Sequence, residues 1–410
     1  MAKSRKDAKG RVLHRGESYN KQKQLYCFSY TDSFGDRRFV YTKDLPELRE
    51  KEKCIERDRL DGINVYVRAR SDINYVFDRY MATKPELRST TRTNYLKTYD
   101  LYVRKGFGKK KIADIRYSDI LYYYNGLVDG GLKVRTVEAV HCLLHPTFQM
   151  AVRDSIIRNN PTDGALAEIK KRNKGKSVPR HALDLEEERA FLRFLDDPEY
   201  VRWRPLFTVM FGTGCRIGEI LGLRWEDVDF KTNTISINHN LTYYPRSEKS
   251  FKCEFEISLP KTEAGIRTIP MLKKVREAFH EEKKFQKETG VHCVAEIGGM
   301  KNFIFCNRFG GLQSPANINR EIKHLVDVHN AIEEVKAARE KREPILIPRF
   351  SCHITRHTFC SRLCENETNV KVIQTVMGHK EIQTTLDIYA EVSESKKQEV
   401  FSEINENNLF

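Results

Sequence analysis

No stretch of this 410-residue chain approaches the roughly 18 consecutive apolar residues a membrane-spanning helix needs, so no membrane partner is expected. The basic start, Met1-Ala2-Lys3-Ser4-Arg5-Lys6, is not followed by the apolar segment of a secretory signal. The ten cysteines include no Cys-x-x-Cys pair and no regular spacing, which argues against a zinc ribbon and against a disulfide framework. A reduced, cytoplasmic protein is the expectation. Internal repeats are missing too, which sets aside repeat arrays. A chain of this length is expected to hold two or three domains.

Positive charge is what the sequence has in excess, and it is uneven. Of a formal net +15, residues 1–43 hold 11 Lys/Arg against 4 Asp/Glu, and residues 65–180 hold 23 against 11. Residues 44–64 hold 5 against 7, and residues 181–410 hold 33 against 35. Lysines that served only solubility would be spread evenly. A field confined to the first 180 residues suits the neutralisation of nucleic-acid phosphates and the release of their counterions.

Periodicity divides the chain into three. Arg11–His14, Leu25–Thr31 and Arg37–Thr42 read as strands, with turn chemistry at Ser33-Phe34-Gly35-Asp36, and Leu45–Leu60 as a charged helix. Residues 65–170 read as all-helical, with helices over Ser71–Ala82, Ser89–Lys105 (closed by Gly106), Ser118–Val128 and Val134–Asp154. Tyr122, Tyr123 and Tyr124 could stack on bases, but on an amphipathic helix core and rim are the expected places. Lys170–Lys176 is a basic, unpatterned linker. From 181 onward, helices over Leu185–Leu195 and Arg202–Phe211 lead through Gly212-Thr213-Gly214 into another near Arg216. Thr234–Asn240, Phe255–Leu259 and Arg267–Ile269 read as strands, and Ser314-Pro315 opens a long charged helix towards Arg342.

Four clusters of chemistry lie in this last part. In Gly212-Thr213-Gly214-Cys215-Arg216-Ile217-Gly218-Glu219 the glycines permit a tight turn, and a buried arginine held by Glu219 can present its fork to a phosphate. His353-Ile354-Thr355-Arg356 places an imidazole beside a guanidinium, a pairing suited to phosphoryl chemistry. His353 and His357 have metal-ligand spacing, but Ile354 stands where a zinc peptidase helix carries its glutamate, so no metal is expected. Gly378-His379 precedes Tyr389 by ten residues, and Lys261 lies before Ala264-Gly265 in a turn joining two strands. Taken singly, each has an ordinary structural explanation.

In chain order they read Arg216, Lys261, His353-x-x-Arg356, Gly378-His379, Tyr389, and this resembles the tyrosine recombinase family of phage integrases. Leu221-Gly222-Leu223-Arg224-Trp225-Glu226-Asp227-Val228 and His357-Thr358-Phe359 resemble it as well, and the whole is most like the integrases of conjugative transposons. In many relatives nine residues separate the last histidine from the tyrosine; here there are ten.

The resemblance implies an α+β multidomain protein: an arm-type DNA-binding domain over 1–62 with a three-stranded sheet plus helix, a helical core-binding domain over 65–170, a linker over 171–180, and a mainly helical catalytic domain with a small antiparallel sheet over 181–410. It implies double-stranded DNA with core-type and arm-type sites as partner, a tetramer on DNA, and accessory excisionase or DNA-bending proteins. Tyr389 would attack the scissile phosphate and leave a 3′-phosphotyrosyl link, so neither ATP nor any cofactor is needed. His353 would serve as base, Arg216, Arg356 and His379 would bind the non-bridging oxygens, and Lys261 would protonate the leaving 5′-oxygen. A non-catalytic DNA-binding regulator and a topoisomerase-like strand transferase are the alternatives. The tail after residue 391, with Val400, Phe401 and Ile404 on one stripe, is expected to dock on its own or a neighbouring subunit.

Overall fold

The computed structural model describes residues 5–32, 35–60, 62, 71–173, 182–245, 253–260, 265–366 and 369–390. The chain folds as two compact units, Met1–Val178 and Pro179–Phe410. Among the described residues no helix is long and apolar enough to cross a membrane.

The first unit opens with an antiparallel sheet, β1 (Glu17–Asn20), β2 (Leu25–Thr31) and β3 (Arg37–Thr42), followed by α1 (Leu45–Leu60). The first strand lies later than expected. Arg11–His14 contributes only an isolated bridge, Lys6 to Val12. Asp7 draws the backbone N–H groups of Lys9 and Arg11 and the Tyr26 hydroxyl onto its carboxylate, closing a turn over residues 7–11. Glu17, a polar residue in an unpromising strand, is fully buried because Arg49 of α1 pairs with it at 3.0 Å. Alternation along the sheet sends Tyr26 and Phe28 onto Leu45, Leu48 and Ile55 of α1. Phe39 and Tyr41 stay half exposed on the other face, with the Arg37 guanidinium over the Phe39 ring.

Helices α2 (Ile73–Ala82), α3 (Ser89–Tyr99), α4 (Tyr117–Asp129), α5 (Val134–Arg153) and α6 (Ala165–Arg172) complete this unit around one apolar core. Asp72 caps α2 by accepting from the Tyr75 N–H at 2.8 Å. Phe77 and Tyr99 stack at the centre. After α3 the expected helix loosens into a π-turn over Asp100–Arg104, and Gly106, at φ −117°, is not the left-handed cap expected there. The tyrosine run divides by helical phase: Tyr124 is buried, Tyr123 donates to the Tyr102 carbonyl, and Tyr122 is 84% exposed. Asp58 at the end of α1 pairs with Arg158 at 2.6 Å, tying the N-terminal sheet and helix to the helical part.

In the second unit α7 (Leu185–Phe194), α8 (Arg204–Thr213), α9 (Ile217–Gly222), α10 (Lys273–Thr289), α11 (Pro315–Glu340) and α12 (Cys352–Asn366) enclose a core in which Phe191, Phe207 and Phe279 are fully buried. Two small sheets flank them: β4 (Val228–Asp229), β5 (Thr234–Ile237) and β8 (Arg267–Pro270) in one, β6 (Asn240–Pro245) and β7 (Cys253–Ser258) in the other. The strands either side of Lys261, β7 and β8, therefore belong to different sheets and do not pair as the expected hairpin. β6 and α10 were not anticipated. The chain ends its described part with α13 (Val370–Met377) and helical residues 382–390. Lys261 and the tail 391–410 lie outside the described residues.

Candidate active site

Helix α13 is short, and its end is where the chemistry gathers. A helix leaves its last carbonyls without intrahelical partners and carries partial negative charge there, so cations settle on it. Here three guanidinium groups do so, on consecutive residues. Arg267 Nε donates to the Val376 carbonyl at 2.9 Å, Arg356 Nη2 to that of Met377 at 2.6 Å, and Arg216 Nη2 to that of Gly378 at 3.1 Å. Gly378 takes φ 62°, the left-handed conformation that ends helices, and the turn delivers His379 directly after the three carbonyls.

The opposite wall is the end of α8, which takes in Gly212 and Thr213 of the expected turn and leaves Gly214 to close the helix. Gly214 stands at φ 58°, and a Cβ built there would lie 2.3 Å from the Phe359 ring, so both backbone and space require glycine. Its carbonyl accepts from Arg356 Nη1 at 2.8 Å, which clamps Arg356 between this turn and α13. Arg356 is 4% exposed, and burial followed by the charge of Arg216 pulls its guanidinium down to about 10. Two of its five N–H donors are used in these contacts.

The arginine expected to be buried beside a glutamate is arranged the other way round. Glu219 is the buried member, and the Arg216 side chain is 45% exposed. Burial alone would raise the Glu219 carboxyl, but hydrogen bonding and charge from Arg267, and charge from Arg216, hold it below the ordinary carboxylate value. Arg216 is thus held at both tips of its fork, by Glu219 and by the Gly378 carbonyl, while its side chain stays 45% exposed.

His379 is buried and its Nδ1 meets Thr385 Oγ1 at 2.9 Å. Burial, then the charges of Arg356, Arg216, Arg267 and His353, pull its imidazole from 6.5 to about 4. It is neutral at pH 7 and can donate one N–H without adding charge. His353 lies in the first turn of α12, exposed, one turn before Arg356. Tyr389 is half buried on the helix over 382–390, where it and Ile388 pack on Cys360, Cys364, Ile373 and Met377. Helix α13 therefore supplies carbonyls to the arginines on one side and, through Met377, a seat for the tyrosine's helix on another.

The structure brings Arg216, Arg356 and His379 to one helix end, sets His353 near enough to lower His379, and seats Tyr389 against the same helix. Two participants escaped the sequence reading. Thr385 orients His379, and Arg267 joins the arginine cluster from β8. A signal for Arg267 existed, since it alternates with buried Ile269 and so occupies an inward strand position. Elsewhere among the described residues, His14, Glu17 and Glu52 come within metal-ligand reach of one another, but Glu17 is committed to Arg49.

Comparisons with known proteins agree along the chain. Residues 181–396 match the phage integrase family, residues 1–59 the DNA binding domain of Tn916 integrase, and residues 73–128 the N-terminal SAM-like domain of phage integrases. The transposase from transposon Tn916 of Enterococcus faecalis is 29% identical over 407 residues, covering 95% of this chain and 94% of the relative. The Tn1549 transposon integrase in complex with a circular intermediate DNA superposes with a TM-score of 0.68 at 25% identity, covering 80% of this chain and 99% of that one. A lambda integrase tetramer bound to a Holliday junction shares the fold at 17% identity, with a TM-score of 0.51 and coverage of 92% and 95%.

Proposed function

The chain belongs to the phage integrase family and is a site-specific tyrosine recombinase; from that premise we propose that it integrates and excises a conjugative transposon, with Tyr389 as its nucleophile. The single observation that carries the assignment of the site is the meeting of Arg216, Arg356 and the residue before His379 at the end of α13. Two guanidinium groups held side by side on adjacent carbonyls match the two non-bridging oxygens of a phosphodiester, whose negative charge grows as a fifth oxygen bonds to phosphorus.

In this reading the Tyr389 phenol attacks phosphorus, its proton passes to His353, and the bond to the 5′-oxygen breaks with a proton from Lys261. The phosphate remains on the tyrosine as a 3′-ester until a new 5′-hydroxyl reverses the step. Arg216 and Arg356 hold the two non-bridging oxygens. His379, neutral and locked by Thr385, gives one further N–H. The guanidinium pair supplies the charge that a divalent ion supplies in other phosphoryl-transfer sites.

We assign arm-type DNA sites to residues 1–62, where Arg37, Phe39 and Tyr41 lie on the open face of the sheet. Residues 65–172 hold the core site, since α6 runs on to Arg172 where the sequence suggested a linker from Lys170; the basic stretch after it links, and 181–410 catalyse. The relatives named for transposons support the mobile element as substrate. Exchange between two duplexes involves four scissile phosphates, so four protomers assemble on them, in the cytoplasm, with excisionase or DNA-bending proteins setting direction. The test is to incubate the protein with a nicked fragment carrying the element's own end and separate the products under denaturing conditions. A protein band carrying DNA label is expected. Specific binding without any covalent product would favour the non-catalytic regulator.

A further inference from the structure

Arg267 differs from its two neighbours. Its side chain is 4% exposed against 45% for Arg216, so it does not reach the open side of the site. Its donors go inward: Nη2 to Glu219 Oε2 at 2.8 Å, Nη1 to Glu219 Oε1 at 3.3 Å, and Nε to the Val376 carbonyl at 2.9 Å. Nη1 also approaches the Gly265 carbonyl at 3.4 Å, and Nη2 the Cys215 sulfur at 3.6 Å.

Two consequences follow from that geometry. The first is charge. A phosphodiester carries one negative charge, and its five-coordinate transition state approaches two. Arg216 and Arg356 with Glu219 between them sum to +1; Arg267 brings the group to +2. The second is aim. A carboxylate offers about four lone-pair sites. On Glu219, Oε1 takes Arg216 Nη1 and Arg267 Nη1, and Oε2 takes the Arg216 backbone N–H and Arg267 Nη2. Filled in this way, the carboxylate has no site left with which to draw the rest of the Arg216 fork inward.

We propose that Arg267 is a positioning residue for strand cleavage: by occupying Glu219 and the end of α13 it keeps Arg216 aimed, and its charge uncancelled, towards the scissile phosphate. The proposal rests on the reading that Arg216 acts at the phosphate. Nothing in it requires Arg267 to touch DNA.

The experiment compares full-length Arg267→Met, Arg267→Lys, Arg216→Ala and the Arg216→Ala/Arg267→Met double variant. Single-turnover strand cleavage is measured on the element's end carrying either an ordinary scissile phosphate or a methylphosphonate, in which a methyl group replaces one charged oxygen. Arg267→Met should slow cleavage of the phosphodiester by about 10–100-fold, less than the loss of a direct oxyanion donor. Affinity for the DNA should stay within about threefold. On the neutral methylphosphonate the defect should shrink to under about threefold. The double variant should be no slower than Arg216→Ala by more than about threefold, because the two act in series. Arg267→Lys keeps the charge but cannot span three acceptors, so it should lie between, again with relief on methylphosphonate; it carries the test if Arg267→Met fails to fold, as thermal melting would reveal. An Arg267 defect of equal size on both substrates, or one multiplying with Arg216→Ala, overturns the proposal. If Arg216→Ala itself cleaves the phosphodiester normally, or gains nothing from methylphosphonate, the assignment of the site is what fails.

Discussion

Arg216 and Glu219 meet twice, the backbone N–H of Arg216 donating to Oε2 at 2.9 Å and its Nη1 donating to Oε1 at 2.8 Å. One carboxylate thereby fixes both the first turn of α9 and the fork of the arginine that starts it. The buried side of this pair is the anion, and its second cation is Arg267.

Replacing Glu219 by Gln should therefore cost stability as well as cleavage. Breaking a buried ion pair from one side costs about 3–5 kcal/mol, and the exposure of Arg216 lowers the expectation here to about 2–4 kcal/mol. Because the folded Glu219 carboxyl sits below its unfolded value, its contribution is complete above the unfolded pKa and disappears as pH falls through the folded one. The gap between native and Glu219→Gln proteins in urea midpoint should thus be wide at pH 7, begin to narrow near the unfolded carboxylate value of about 4.3, and close as pH falls through the lower folded one. A gap independent of pH would contradict the pairing.

His379 gives the second pH dependence. Its imidazole is held from 6.5 down to about 4, so the unfolded chain binds a proton that the folded chain refuses. Stability from this group is complete above the unfolded value and is lost as pH falls from 6.5 towards 4, by about 3 kcal/mol in all. Urea titrations between pH 4 and 7 should show this slope in the native protein and lose it in His379→Gln. Equal slopes in both would mean that His379 is not held neutral.

The leaving-group acid can be separated from the phosphate clamp. Lys261→Ala should slow cleavage of ordinary DNA by about 10²–10⁴-fold, the range for a lost general acid. A substrate with sulfur in place of the 5′-bridging oxygen departs without protonation and should restore most of the rate. Arg216→Ala should gain little from the same sulfur, since the role proposed for it is at the non-bridging oxygens. Equal rescue of both would remove Lys261 from the role.

Much of this was legible from residue order, and the remainder shows what local pattern cannot carry. The β-branched and aromatic runs at 25–31 and 37–42, and the 3.6-residue period of Ile73, Val76 and Phe77, announce their elements directly. The first strand was misplaced because Arg11–His14 looks more extended than Glu17–Asn20; the deciding contacts, Asp7 with Tyr26 and Glu17 with Arg49, are made with residues distant in sequence. β6 was hidden by its polar start and by Pro245. In the site, Arg216, Arg356 and His379 are recognisable as a set. Which of Arg216 and Glu219 is buried depends on Arg267, some fifty residues away, and no spacing within the Gly-Thr-Gly segment encodes it.

Removal of residues 1–60 tests the division of labour between DNA sites. A fragment beginning near Asn64 retains the basic helical part and should bind the core site with affinity within about threefold of the whole chain, while losing a separate arm-type site. The Asp58–Arg158 pair is lost in this fragment, so a modest fall in melting temperature is expected alongside. Gel-shift titration of both proteins on both DNA elements decides it, and loss of core-site binding would count against two separate contacts.

The central claim is that strand cleavage runs through Tyr389, and the most direct measurement compares the native protein with Tyr389→Phe on a nicked core-site fragment. The phenylalanine keeps the ring packed against Cys360, Cys364, Ile373 and Met377, so folding and specific binding should be unchanged. The native protein should form a DNA adduct that survives denaturing electrophoresis, and Tyr389→Phe should form none above background. An adduct of native yield from Tyr389→Phe would contradict the account and send the search for the nucleophile to another residue.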